Sequence, residues 1–389
     1  MAKTQVAVEI TETSVRAVEV SVGRAPMIVA AGEVPLPEGA AKDSEILDRD
    51  AVAVALQRLW ADARISSREV VLGVGNRRIL VREHSTQLTN PVHIRQSLPF
   101  EVQDRLPVPV DQAVLDFVPT RQDDRGVHGL LVAAVAEHME ELVGALEQAK
   151  LRATTIDLVA FGQARALSAL GGPEQTGLFL GIGEHTTHIV IATGGIPRFV
   201  RVVPIDIVAP APTAEERRVA DEAGAASAAA ASVATPVPVE PVEPAPAVVA
   251  ASRAAYRRGR SADTGEYPAG PAAAPAAPPA VAPEPAPIPE AAALHPAVQA
   301  ALIDMVGRLR STVTFYRDRP DAVPIDVTWV AGAHAAHPRL LEAIAKVVET
   351  AVLPVAASGL IAPSSHLVLP PDVDARLAGT ASLLLGGAR

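Results

Sequence analysis

The chain has 389 residues, a formal net charge of −10 and basic residues scattered along its length. That length allows two domains, or one domain with a long linker, and the charge excludes the concentrated basic face that a nucleic-acid binder presents. There is no cysteine, which excludes disulfides, thiolate metal sites and cysteine nucleophiles and fits a cytoplasmic protein.

The N-terminus enters a strand pattern at once, without the apolar core of a signal peptide. No stretch of about 18 residues is apolar and free of charge and proline, so no transmembrane helix is expected and any membrane association is indirect. Aromatic residues make up only 3% of the chain, so the core must be built from Val, Leu, Ile and Ala.

Residues 6–11 and 14–21 alternate apolar and polar around a polar turn, which predicts a hairpin continued by a strand over 27–34. Val52, Leu56, Leu59 and Ala63 share one face of a predicted helix over 50–63, and 70–75 reads as a strand. Strand–helix–strand order implies parallel pairing. A further strand is expected over 77–83, then a helix capped by Asn90 with Pro91 in its first turn, limited by Pro99 and Pro107. A hairpin over 113–119 and 127–134 follows, with turn residues Asp123, Asp124 and Gly126 between its strands. Helix 137–150, strand 154–158 and helix 159–169 lead to GLFLGIGEHTTHIVI (177–191), read as strand, glycine turn and returning strand; one more strand spans 198–203.

From 207 to 293 alanine and proline dominate, and such a chain buries too little side-chain area to offset its entropy. A disordered, partly polyproline linker is expected there, with a proline-free stretch at 214–231 able to form a transient helix. Arg253, Arg257, Arg258 and Arg260 beside Tyr256 read as linker solubility. Order is expected to resume with a helix over 297–317, a strand over 325–330, a turn at Gly332, and helices over 338–348 and 377–385. This tail is too small for an independent α/β domain and should complete a sheet begun before the linker.

Two hairpins with polar turns, Glu9 to Arg16 and Gly181 to Thr187, and a strand–glycine element at Val330 to Ala333 match the arrangement of an actin-like nucleotide-binding fold. A glycine turn flanked by hydroxyls lets backbone N–H groups approach a phosphate. More specific is 93–116, with Ile94, Glu101, Leu106, Pro107, Pro109, Asp111 and Asp116, joined by Ile156-Asp157 and by Ser311, Phe315 and Tyr316. On these residues the chain resembles the PilM family of cytoplasmic, actin-like type IV pilus assembly proteins, and more distantly FtsA, over about 1–206 and 296–386.

The resemblance implies a duplicated, ribonuclease H-like α/β fold: 1–206 holding the first half, an inserted small α+β subdomain at about 77–134 and the start of the second half, and 294–389 the remainder. It implies ATP and magnesium as cofactors, with Thr11, Arg16, Gly183, Thr186, Thr187 and Gly332 as nucleotide contacts. As partner it implies a PilN-like single-span inner-membrane protein, alongside other pilus assembly proteins. The N-terminal peptide of that partner lies in a groove mapping to 77–130, for which Phe100, Leu106, Val110 and Phe117 are the candidates. The location implied is the cytoplasmic face of the inner membrane.

The nucleotide loops depart from the family pattern. Where the first hairpin usually reads Asp-x-Gly-Ser, this chain has Glu9, Thr11 and Glu12, which adds a Cβ and a negative charge beside a triphosphate. The acidic residue expected two positions before Gly183 is Gly181, so a carboxylate that would hold magnesium waters is lost. Ala331 and Ala333 flank Gly332, and the helical subdomain expected after the second hairpin is missing or replaced by the linker. These changes together predict weak or absent nucleotide binding and a scaffold without catalytic residues; the alternative is an active, nucleotide-switched ATPase of pilus or type II secretion machinery. The pairs His185/His188 and His334/His337 lack a carboxylate at metal-site spacing and read as hydrogen-bonded histidines, with no metal ligand among them.

Overall fold

Two five-stranded sheets of the same connectivity form the frame of the computed structural model, which describes residues 3–42, 45–76, 78–207 and 294–386. In the first sheet, β1 (Thr4–Ile10), β2 (Ser14–Ser21) and β3 (Ile28–Pro35) form an antiparallel meander. The two-residue strands β4 (Ala41–Lys42) and β5 (Glu45–Ile46) pair with each other. Helix α1 (Arg49–Asp62) starts where Asp48 Oδ1 accepts the Ala51 N–H at 3.0 Å, and it buries Val52, Leu56 and Leu59. It crosses to β6 (Glu69–Val74), which lies parallel to β1.

A small layer is inserted next. It holds β7 (Leu80–Thr86), α2 (Pro91–Val102), β8 (Ala113–Asp123) and β9 (Gly126–Val135), the strands ordered β7-β9-β8. Asn90 caps α2 with a 2.9 Å bond to the Val92 N–H. The helix runs through Pro99 and ends at Val102, before Pro107. The carbonyl that Pro99 leaves unserved belongs to Arg95, an exposed residue whose backbone water can reach. Helix α3 (Ala136–Gln148) then returns the chain to β10 (Arg152–Leu158), parallel to β6.

After α4 (Val159–Gly171) the pattern repeats. β11 (Thr176–Ile182), β12 (Thr186–Thr193) and β13 (Ile196–Pro204) form a second meander, α5 (Pro296–Arg317) leads to β14 (Val327–Gly332), parallel to β11, and α6 (Pro338–Val348) leads to β15 (Ala351–Pro354). In order of occurrence both sheets read 3-2-1-4-5, the mark of a duplicated fold. The predicted linker, apart from Ile207, and its predicted helical stretch lie outside the described residues.

The helix predicted over 377–385 is the shorter α9 (Ala378–Ser382), preceded by two helices the sequence did not announce, α7 (Ala357–Leu360) and α8 (Pro371–Arg376). Beyond α9 the backbone tightens to i→i−3 bonds from Leu383, Leu384 and Leu385, which ends the helix early.

One core packs α1 and α3 on the first sheet, another packs α5 and α6 on the second. Between the sheets lie α4 and the C-terminal helices: Ala160, Ala164 and Leu167 pack on Phe179 and Val190, while Val159 and Leu383 pack on Ala7. A Cβ at Gly162 would stand 2.6 Å from Ser382 Oγ, so the glycine sets how closely α4 meets α9. This close packing holds the turns of the two hairpins opposite each other.

Candidate functional site

The β1–β2 and β11–β12 turns face each other across a cleft that includes Glu9, Arg16, Gln163, Gly183, Glu184 and Gly332 in its lining. Four of the sequence-predicted contacts besides Arg16, namely Thr11, Gly183, Thr186 and Gly332, also reach it.

The first turn closes through its threonine. The Thr11 N–H donates to Ser14 O at 2.8 Å, the Thr11 hydroxyl donates to the same oxygen at 2.9 Å, and it accepts the Ser14 N–H at 3.0 Å. Thr11 is not among the residues with positive φ, so a glycine is not required for this turn. The hydroxyl that a ligand would meet is committed to the loop itself.

The second turn needs its glycine. The Gly183 N–H donates to Thr186 O at 2.9 Å, and a Cβ on Gly183 would lie 2.6 Å from that oxygen. Gly332 has φ +97°, and a Cβ there would lie 2.0 Å from Ile182 O. The demand on Gly332 is that β14 ends hard against the second hairpin, with the Ala333 N–H donating to Ile182 O at 3.0 Å.

Gly181 has a comparable neighbour. A Cβ there would lie 2.3 Å from Gln163 Nε2, so the buried amide of Gln163 occupies the space of a side chain at 181. Gln163 Oε1 is buried with no hydrogen-bond partner among the described residues. Thr187 is out of register with the cleft. Thr186 and His188 line it, whereas Thr187 alternates to the face of Ile189 and Ile191, toward the α5–α6 core, and its buried hydroxyl has no partner among the described residues.

Side chains of the two turns bond to each other. The Thr13 hydroxyl donates to Glu184, Arg16 Nη2 lies 3.4 Å from the same carboxylate, and His185 Nδ1 lies 3.8 Å from Glu12. Behind them Glu33 takes Arg16 Nε at 2.8 Å and Arg376 Nε at 2.7 Å, one on each carboxylate oxygen. Burial pushes the Glu33 carboxyl upward, but the Arg16 charge and the hydrogen bonds from Arg16, Ser14 and Arg376 outweigh it and hold the group below its ordinary value. Glu9 accepts from the Thr380 hydroxyl at 2.9 Å. On the floor, His188 Nε2 donates to Gly75 O at 2.6 Å, and burial holds this histidine below its ordinary value against the pull of that bond and of Glu9.

His185 pairs with Asp206 at 2.8 Å, and among the described residues no group of three or more metal-ligating side chains is gathered. His334 and His337 sit in the turn after β14, where His334 has φ +59°. Of the candidate groove residues, Leu106 and Phe117 pack against the small core of Leu98, Val102 and Leu131, and Phe117 meets His84 edge-on at 5.9 Å. Phe100 stands 78% exposed outside that core, and Val110 is half-buried in the turn before β8. Under this layer the His84 ring nitrogen Nε2 lies 2.9 Å from Glu101, which also accepts from Ser97 at 2.7 Å.

The sequence reading placed Thr13 and Glu184 within its two candidate hairpins without giving either a role, and it missed Glu33, Gln163, Arg376 and Thr380 as cleft or cleft-wall groups. Of these, Gln163 left a signal, as an amide beside the small apolar residues Ala160 and Ala164 on the buried side of α4.

The duplicated 3-2-1-4-5 sheets with a cleft between their first hairpins define an actin-like ATPase fold. Residues 7–195 match the family model of the type IV pilus assembly protein PilM. A solved PilM–PilN type IV pilus biogenesis complex is similar over 97% of this chain and 97% of its own, with TM-score 0.69 and 18% identity. The cytoplasmic domain of EpsL from the type II secretion system of Vibrio cholerae aligns over 52% of this chain and 71% of its own, with TM-score 0.37 and 13% identity. The ethanolamine utilization protein EutJ from Carboxydothermus hydrogenoformans aligns over 100% and 91%, with TM-score 0.47 and 10% identity. The last two scores are too low to bear on the assignment.

Proposed function

We propose that this chain is a docking scaffold of the type IV pilus machine, one that takes up the N-terminal cytoplasmic peptide of a PilN-like inner-membrane protein and does not run on ATP. The observation that carries the second half is the state of the cleft. Its two turns spend their donors on each other and on the protein's own carboxylates. Magnesium-bound triphosphate does not fit these residues. It would meet the carboxylates of Glu9, Glu12 and Glu184, and both nearby arginines are already paired with Glu33. At close range in a sheltered cleft, like charges are poorly screened, so these carboxylates disfavour a bound triphosphate. The space where a magnesium-holding carboxylate would stand at position 181 is filled by the Gln163 amide.

Support for the partner comes from the likeness to a chain that is itself assembled with PilN. The inserted layer, with its exposed Phe100 and Val92, offers an apolar surface to an extended or helical peptide. Among the described residues no helix is long and apolar enough to cross a membrane, so in this reading the chain reaches the inner face of the membrane through that partner. The test joins two titrations on the full chain. A synthetic N-terminal peptide of the PilN-like partner should bind at micromolar concentration, and Phe100→Asp should weaken it at least tenfold. Magnesium-ATP should give no saturable heat. A peptide that fails to bind, or micromolar ATP affinity, overturns the corresponding half.

A further inference from the structure

The Glu184 carboxylate stands at the tip of one hairpin and is gripped by two donors from the other. Thr13 Oγ1 donates to it, and Arg16 Nη2 lies 3.4 Å away. A hydroxyl and a guanidinium from a hairpin turn are the donors that take an anionic oxygen in phosphate recognition. Here the anion is covalently part of the opposite lobe. Arg16 Nη2 is buried and reaches Glu184 at ion-pair distance without a well-aligned hydrogen bond, so it keeps donor capacity that a better-placed oxygen would use.

The contact does more than fill space. Thr13 and Arg16 follow β1 of the first sheet, and Glu184 lies between β11 and β12 of the second. His185, the next residue, faces Glu12 of the same opposing turn at 3.8 Å, and the Glu184 carbonyl accepts the Ile207 N–H at 2.6 Å. The tip of the second hairpin is thus fixed from behind and fastened in front.

We propose that Glu184 is a built-in anion that latches the two lobes closed by taking the Thr13 hydroxyl and pairing with the Arg16 charge, both of which a phosphate-bearing ligand would otherwise use. The inference deepens the scaffold reading above and rests on it. A protein whose partner surface must stay in one shape gains from a closure that needs no nucleotide, because the intramolecular anion is present at an effective concentration that no free ligand reaches. The latch adds to the pairing of Arg16 and Arg376 with Glu33, and a single substitution at position 184 releases it.

The absence of native cysteine lets lobe separation be read directly. Val54→Cys on α1 and Ile303→Cys on α5 place spin labels at exposed sites of the two lobes. In the parent, one narrow distance distribution is expected; Glu184→Ala should broaden and lengthen it, and Thr13→Val should do so in part. Calorimetry with magnesium-ATP and with inorganic triphosphate supplies the second readout. Glu184→Ala should show saturable binding where the parent shows none, and adding Arg16→Ala should remove it. Thermal melts of each variant show that a loss is not unfolding. If Glu184→Ala changes neither the distances nor the affinity, the latch is wrong while a non-binding parent keeps the scaffold reading intact. If the parent binds magnesium-ATP at micromolar concentration yet Glu184→Ala still opens and tightens, the latch stands and the scaffold reading fails.

Discussion

At the scale of single residues, the cleft shows how one backbone or charge requirement explains a residue better than its motif does. Gly332 sits where an adenosine turn is expected, yet its φ of +97° and the Ile182 oxygen 2.0 Å from where a Cβ would be are enough to demand glycine. Gly332→Ala should therefore cost about 3 kcal/mol or more in urea denaturation, since a left-handed backbone and a steric clash add. Glu33 bridges two arginines while buried. Glu33→Gln leaves buried Arg16 with only its 3.4 Å contact to Glu184 and should lose about 3 kcal/mol by the same measurement.

His188 predicts a pH dependence whose sign is fixed by burial. In the fold it stays neutral below its ordinary value of 6.5, while in the unfolded chain it protonates near 6.5. The unfolded state then binds the extra proton, so the stability His188 contributes is complete above pH 6.5 and declines as pH falls toward its depressed folded value. The slope from this group alone is at most about 1.4 kcal/mol per pH unit. Denaturation midpoints of the parent should fall between pH 6.5 and 5 more steeply than those of His188→Gln; parallel curves would remove the assignment.

Among elements, legibility followed periodicity. Both meanders, α1, α3 and α5 were readable because alternation or a 3.6-residue stripe repeats over enough residues to be distinctive. β15, with four residues, and α9, composed of Ala378, Gly379, Thr380, Ala381 and Ser382, carry no such pattern. Their role comes from packing. Leu383, just past α9, is buried between β1 and α4, so Leu383→Ala should open a cavity at the lobe junction and cost about 2–4 kcal/mol. Gly162→Val should do comparable damage by overpacking where α4 meets α9, and both losses are measurable from melting temperatures. The cleft contacts were hidden for a related reason: Thr13 and Glu184 are 171 residues apart, and Arg376 and Glu33 are 343 apart. Polar residues in loops have no period, and only the closed sheets bring them together.

For the whole molecule, the sheet connectivity bears on residues 208–293. Their flanks both belong to the second lobe, since Ile207 is part of its core and Leu294 packs against that core. Pairing of β11 with β14 is what spans the gap in sequence, and it runs through six residue pairs from Gly177 with Val327 to Ile182 with Gly332. The sequence reads 208–293 as chain without a core of its own, and in that reading it acts on stability only as a loop to be closed. Replacing those 86 residues with a Gly/Ser linker of about 15 residues should then lower the closure entropy by (3/2)RT ln(86/15), about 1.5 kcal/mol. The shortened protein is expected to melt at the same temperature as the parent or a few degrees higher and, under the proposed docking function, to bind the PilN-like peptide as the parent does, because the inserted layer of β7, α2, β8 and β9 is built entirely before residue 136. A melting temperature lowered by several degrees would mean that 208–293 contributes contacts to the fold. Unchanged stability with lost peptide binding would instead place part of the docking surface in that segment.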